Sequence, residues 1–217
     1  MAAVSGAAPI ECPYVTDGLI FWLDGINQGG VTGEWKDLIG GKIFTLTNCT
    51  QDANSVYFNG SSSYGRTLGA VSSDWSTETI ELAQSGASTT GATRGVLYPV
   101  NTSPVGIGMA FSTSNNFIGY RIDGISQSRG TGLKGTGSIS INGSACVVNG
   151  VSKSQASSTN YYVNTSEYTY LGVRFLSAFN GYFKGKMHSL RIYNRRLSVA
   201  EMQHNQAIDV ERFGISY

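Results

Sequence analysis

Apolar side chains in this chain recur in short runs separated by glycine, serine, threonine and asparagine, a pattern of strands and turns. The most informative stretch is Gly181 to Glu201. In it Met187, Leu190 and Ile192 are apolar and Lys186, Ser189 and Arg191 separate them, which predicts a strand with one buried and one wetter face. Met187 and Leu190 are three positions apart, so alternation slips once: either a bulge resets the register or His188 or Ser189 faces inward. Beyond the strand, Ser198 and Glu201 form a capping-box pair that opens a helix from Val199 to about Val210. Met202, with Ala207 or Ile208, is expected to face the body of the protein, and Glu201, Gln203 and Asn205 the water.

Earlier in the chain, Leu19 to Leu23 is apolar on both faces and reads as an interior strand. Ile43 to Leu46, Val56 to Phe58, Thr79 to Leu82 and Gly95 to Tyr98 read as further strands, and Val105 to Phe111 pairs with Phe117 to Ile122 around a polar turn. Gln84 to Arg94 and Ser126 to Gly137 read as loops. Asn59-Gly60, Asn142-Gly143 and Asn149-Gly150 are turn signals, the first two of them read as hairpins. Tyr168 to Val173 then leads to the closing strand. No fixed internal period is present, which excludes propellers and solenoids.

Several of these stretches resemble laminin-G-like domains, with pentraxin-like relatives, in the concanavalin A-like lectin/glucanase superfamily. The resemblance is carried by Gly185-x-Met187-x-x-Leu190-Arg191-Ile192-Tyr193-Asn194-Arg195-x-Leu197-Ser198-x-x-Glu201 and by Gly18-Leu19-Ile20-x-Trp22-Leu23-Asp24-Gly25. Trp35-x-Asp37-Leu38, Phe58-x-Gly60-x-x-x-Tyr64, Val148-Asn149-Gly150 and Tyr168-x-Tyr170-Leu171-Gly172 are similar to further landmarks. Ala83-Gln84 stand where relatives carry an aromatic, and the stretch from Asp74 to Gly137 matches weakly. The resemblance implies an all-β fold: a two-sheet antiparallel jelly-roll sandwich with a short C-terminal helix. The division expected is an N-terminal arm, 1–17, and a laminin-G-like domain, 18–217.

Composition agrees with a β protein. Of 217 residues 28 are glycine, and only 13% are charged against a usual ~25%. A net charge of +1 provides no general attraction to nucleic acid or to an anionic membrane. Arg174, Lys184, Lys186, Arg191, Arg195 and Arg196 cluster late in the chain and read as a solvated face. Cys12, Cys49 and Cys146 are widely spaced and odd in number, which suits buried free thiols and leaves one bridge open as the alternative. The N-terminus lacks the basic start and apolar core of a secretory signal, so export by the general pathway is not expected. The location expected is a virion surface if the chain is phage-encoded and the cytoplasm otherwise.

Catalytic motifs are sparse. No Glu is followed two positions later by Asp, so the paired-carboxylate strand motif of superfamily glucanases is missing. Glu78 and Glu81 have an odd spacing that sends them to opposite faces of a strand. His188 and His204 have no metal-ligand spacing, and His188 reads as an exposed or hydrogen-bonded strand residue. The expectation is therefore no enzyme, no catalytic residues, no metal site and no cofactor, with calcium implied only by relatives that bind it. Sugar recognition needs aromatic platforms, and Tyr161, Tyr162, Trp75 and Tyr120 lie in or beside polar loops that offer them. Core packing is the expected role of Trp22, Trp35 and Phe58.

These readings lead to a non-catalytic contact module, a decoration or fibre component of a bacteriophage particle. Its N-terminal arm, Pro9, Ile10, Pro13 and Tyr14, is expected either to dock on its own domain or to pack against neighbouring subunits in a homo-oligomer or larger assembly. The alternative is a free-standing lectin module that grips a surface glycan, and a glycoside hydrolase comes third. Neither nucleic acid nor membrane is an expected partner.

Overall fold

A computed structural model describes residues 11–71, 77–88, 94–100, 107–111, 117–121, 126–129, 135–143, 145–153, 167–175 and 179–217. The strands of the first third are β1 (Leu19–Asp24), β2 (Glu34–Lys36), β3 (Ile43–Thr47), β4 (Thr50–Asp52), β5 (Ser55–Asn59) and β6 (Tyr64–Leu68). There follow β7 (Thr79–Ser85), β8 (Arg94–Val100), β9 (Ile107–Phe111), β10 (Phe117–Arg121), β11 (Ser126–Arg129) and β12 (Gly137–Asn142). The last are β13 (Cys146–Val148), β14 (Val151–Lys153), β15 (Tyr168–Leu171), β16 (Arg174–Phe175), β17 (Phe179–Asn180) and β18 (Lys184–Tyr193), before helix α1 (Val199–Phe213).

Two antiparallel sheets form the sandwich. The first runs β14-β13-β12-β7-β18-β5-β4, with β1 also paired to β18; the second runs β11-β10-β9-β8-β15-β6-β3-β2. Between them lie Leu23, Phe58, Ile80, Leu82, Ile139, Leu190 and Ile192 of the first sheet and Trp35, Phe44, Val96, Leu97 and Leu171 of the second. Edge-on ring pairs cross this core, Phe21 with Phe44 at 6.0 Å and Phe58 with Phe183 at 5.9 Å.

Alternation explains the outer side of the first sheet. Since Ile80 and Leu82, Ile139 and Ile141, and Leu190 and Ile192 point into the core, Thr79, Glu81, Ser138, Ser140, Ser189 and Arg191 point outward. That side carries α1. Tyr14, Leu19, Trp22, Tyr193, Leu197 and Met202 form a second apolar cluster there. At its centre Arg191 is fully buried: its Nε donates to Glu81 Oε2 (2.9 Å), and its two terminal nitrogens donate to the Asp209 carboxylate (2.7 and 2.9 Å). Asn205 donates to Glu81 and to the Tyr193 hydroxyl, and Gln206 donates to Ser140 and to the Val147 carbonyl. Burial opposes the Arg191 charge, but Asp209 and Glu81 outweigh it and hold the guanidinium protonated above its ordinary range.

Several sequence-based expectations change here. The expected wetter face of β18 is buried under α1, and Arg191 belongs to no solvated face. Asn205 is buried and Ala207 is exposed, because a polar helix face bonds to the outward serines and glutamate of the sheet. The helix extends to Phe213 and ends at Gly214 in the left-handed region (φ 64). Strand β1 is not interior to its sheet: it pairs with β18 on one side, and on the other the Asp37 carboxylate accepts the N–H groups of Trp22, Ile39 and Gly40. Asn59-Gly60 makes no hairpin, since β5 and β6 belong to different sheets. The Asn59 side-chain oxygen instead accepts from the N–H groups of Ser61, Ser62 and Ser63 and turns the chain from one sheet to the other. Ser126 to Arg129, read as loop, pairs with β10 as β11.

Other expectations hold. Pairing of β18 with β7 slips between Met187 and Ser189, which is the bulge of the two alternatives that the spacing left open. Asn142-Gly143 joins the β12-β13 hairpin, and Asn149 (φ 51) with Gly150 (φ 74) turns β13 into β14. Trp22, Trp35 and Phe58 are buried.

Two outcomes follow from these bonds. Arg191→Ala leaves two carboxylates buried without their cation, so urea denaturation should show a loss of about 3–5 kcal/mol, against under ~1 kcal/mol if the network adds nothing. At the capping box, the Arg195 guanidinium and the Ser198 N–H hold Glu201 down to about 2 from 4.5. A depressed folded pKa gives stability that is present above the unfolded value and is lost as pH falls towards the folded one. The advantage of wild type over Glu201→Gln in thermal unfolding should therefore shrink between pH 4.5 and about 2. A constant difference across that window would contradict it.

Candidate functional site

With α1 covering the first sheet, the outer face of the second sheet is the other broad surface of the sandwich. Strand β6 alternates: Gly65 and Thr67 are buried, while Tyr64, Arg66 and Leu68 point out. Gly65 faces the core, where a Cβ would stand 3.2 Å from the Leu46 side chain and displace it by a few tenths of an ångström. On β15, Leu171 enters the core and the Thr169 hydroxyl donates to the Gly69 carbonyl, so Tyr168 and Tyr170 share the outward face. Register sets Tyr170 opposite Arg66 and Tyr168 opposite Leu68. On the other flank, Thr45 and Thr47 of β3 lie opposite Arg66 and Tyr64, and Glu34 lies opposite Thr45.

The β16-β17 hairpin adds Phe179 to this face. Its ring stacks on Tyr64 (5.3 Å, 22°) and meets Tyr170 edge-on (5.2 Å, 70°), and Tyr64 and Tyr170 are 5.9 Å apart. The Arg66 guanidinium lies 5.0 Å from the centroid of Tyr168, and among the described residues no carboxylate forms an ion pair with it. Exposure of Leu68 (70%), Ile43 (45%) and Phe179 (37%) leaves the surface open and partly apolar. Lys42 donates to the Leu68 carbonyl and adds a second cation at its rim. Stacked rings can accept the C–H face of a pyranose, and a guanidinium lying over a ring keeps edge N–H groups for a carboxylate.

The residues expected from the sequence are placed differently. Trp75, Tyr161 and Tyr162 lie outside the described residues; Tyr120 belongs to β10 of the second sheet, with its side chain outside them. Pro9 and Ile10 of the arm also lie outside, and Pro13 leads into Tyr14. The Tyr14 side chain is buried in its own domain, donating to Asp209 Oδ1 (3.0 Å) and sitting edge-on to Trp22 beneath Arg191 (3.9 Å). Among the described residues no group of three or more His, Cys, Asp or Glu could hold a metal ion, and no helix is long and apolar enough to cross a membrane. The aromatic face was missed because Tyr64 and Tyr168 were read as fold landmarks. The alternation Tyr64-x-Arg66-x-Leu68 and Tyr168-x-Tyr170 already placed each set on one side of a strand.

No family model matches the sequence, and no curated protein matches it. Solved structures do. A Trypanosoma rangeli sialidase in complex with sialic acid matches with a TM-score of 0.64 at 14% identity, over 90% of this chain and 33% of that one. A structure of botulinum neurotoxin type C, whose cell entry is described as dependent upon interaction with two ganglioside molecules, matches with a TM-score of 0.64 at 8% identity, over 88% and 51%. The binding domain of botulinum neurotoxin DC in complex with SialylT matches with a TM-score of 0.60 at 9% identity, over 89% and 52%. The chain thus spans a third to about a half of the length of these structures. Identities this low establish the fold alone, an all-β sandwich of two antiparallel sheets. They also correct the expectation that the chain is not an enzyme: sialidases are among the structures that share this fold, so the fold gives no ground for excluding catalysis.

Proposed function

We propose that this chain is a glycan-binding module that holds an acidic sugar on the outer face of its second sheet, and that residues 18–217 form a laminin-G-like domain. The observation that carries the reading is the outward-facing pair of Tyr64 and Phe179 packed over the buried Tyr170 ring, beside the Arg66 guanidinium on Tyr168. Sugar rings present C–H faces to aromatics, and a carboxylate-bearing sugar gives Arg66 a bidentate acceptor. Structures of the same fold in complex with sialic acid and SialylT, and one of a toxin whose cell entry depends upon gangliosides, support a ligand of this class. Neither the fold nor the similar structures support a bacteriophage role.

Calorimetry with 3′-sialyllactose and lactose tests the proposal. Wild type should prefer the acidic sugar, and Arg66→Ala should lose that preference by about tenfold or more, the worth of one charge-assisted pair at ~1.5–3 kcal/mol. Phe179→Ala, a partly exposed position, should weaken both sugars alike. Binding unchanged by both substitutions would move the ligand elsewhere, and no binding across a broad glycan array would reject the function.

A further inference from the structure

On the opposite side of the sandwich, beyond the end of α1, lies a cluster that glycan binding does not use. Ser85 closes β7, and the β18 bulge between Met187 and Ser189 turns His188 towards it. The Ser85 hydroxyl is 2.8 Å from His188 Nε2, and His188 Nδ1 is 2.9 Å from the Asn54 carbonyl oxygen. A carbonyl can only accept, so Nδ1 carries the proton. Nε2 of the neutral ring is then bare, and the Ser85 hydroxyl donates to it. We infer that Ser85 and His188 are a nucleophile and general base for acyl transfer from a small carboxylic ester.

The surroundings hold this arrangement in place. A Cβ on Gly25 would stand 2.3 Å from the Asn54 oxygen, and Gly25 N–H donates to the His188 carbonyl (2.7 Å), so glycine lets the two backbones meet where the imidazole needs its acceptor. Phe213 covers the ring at 5.3 Å. Burial holds His188 below its ordinary pKa, the Asn54 bond works the other way, and Lys186, Asp209 and Asp52 are the charges that act on it. Arg212, next to Phe213, is paired with Asp24. The ring is thus a neutral base at pH 7. Ser85 is half-buried, and space is open above the neighbouring Gly86, where a Cβ would meet no atom within 4 Å.

The reaction needs nothing beyond ester and water. Ser85 Oγ bonds to the ester carbonyl carbon as its proton passes to His188 Nε2, and the Asn54 oxygen holds the Nδ1–H of the imidazolium. The oxyanion formed has a donor beside it in the Gly86 N–H following the nucleophile, now given to the Thr136 hydroxyl at an exposed position (3.2 Å). Collapse breaks the bond to the alkoxy oxygen, and the alcohol departs with the proton from Nε2. Water then repeats the sequence on the acyl-serine, releasing the carboxylic acid and returning the proton to Ser85.

The test is labelling of the full chain with a fluorophosphonate, followed by peptide mapping, alongside hydrolysis of p-nitrophenyl acetate. The expected result is an adduct on Ser85, with kcat/KM falling to the uncatalysed level in Ser85→Ala. His188→Gln should lose about 10²-fold or more, with unchanged circular dichroism as the check on folding. The wild-type rate should rise with pH to a plateau, with its midpoint below 6.5. No adduct on Ser85, or Ser85→Ala hydrolysing as wild type does, would overturn the inference. Either result leaves the sugar titration untouched, because that site lies on the other sheet.

Discussion

A guanidinium removed from water must be neutralised where it sits, and at Arg191 that requirement joins most of the molecule. Its partners come from β7 and from α1, and the Tyr14 ring lies beneath it, so sheet, helix and N-terminal segment are fixed by one side chain. Glu81 is also held by Ser140 and Asn205, and Asp209 by Tyr14 and Ser138, which leaves few lone pairs unused. Burial still pushes the Glu81 carboxyl above its usual range. Such a network gains little over an apolar core of equal volume, but removing any one partner leaves a buried charge uncompensated.

The position of α1 determines which surfaces remain. The first sheet is covered along β12 and β13 by α1, and Ser85, His188 and Lys186 lie by the helix end at Phe213. Among the described residues no helix packs on the second sheet, and its outward rows on β3, β6 and β15 form an aromatic face with a guanidinium that has no carboxylate partner among those residues. The sandwich thus has a polar, hydrogen-bonded side and an aromatic side, and the chemistry available to each follows from what packs on it.

Much of the fold was legible because it rests on local signals. The bulge at His188, the capping box at Ser198 and the Asn149-Gly150 turn each depend on a few adjacent residues, and each stands where the pattern placed it. What failed depended on distant partners. Arg191 and Asn205 read as solvated because a single sequence does not show that Glu81, 110 and 124 positions away, will meet them. The aromatic face was hidden for the same reason: Tyr64, Tyr170 and Phe179 come from three separate strands, and only the register of β6 against β15 makes them one surface. Polar loops drew attention to Tyr161 and Tyr162, while Tyr64, Tyr168 and Tyr170 served only as landmarks of the fold.

The most direct measurement is an amide chemical-shift map of the isotope-labelled chain titrated with 3′-sialyllactose. Shifts should concentrate on β3, β6, β15 and the β16-β17 hairpin, saturating together and leaving α1 unmoved. Shifts confined to the helix side, or none at ligand saturation of a positive control, would contradict the account.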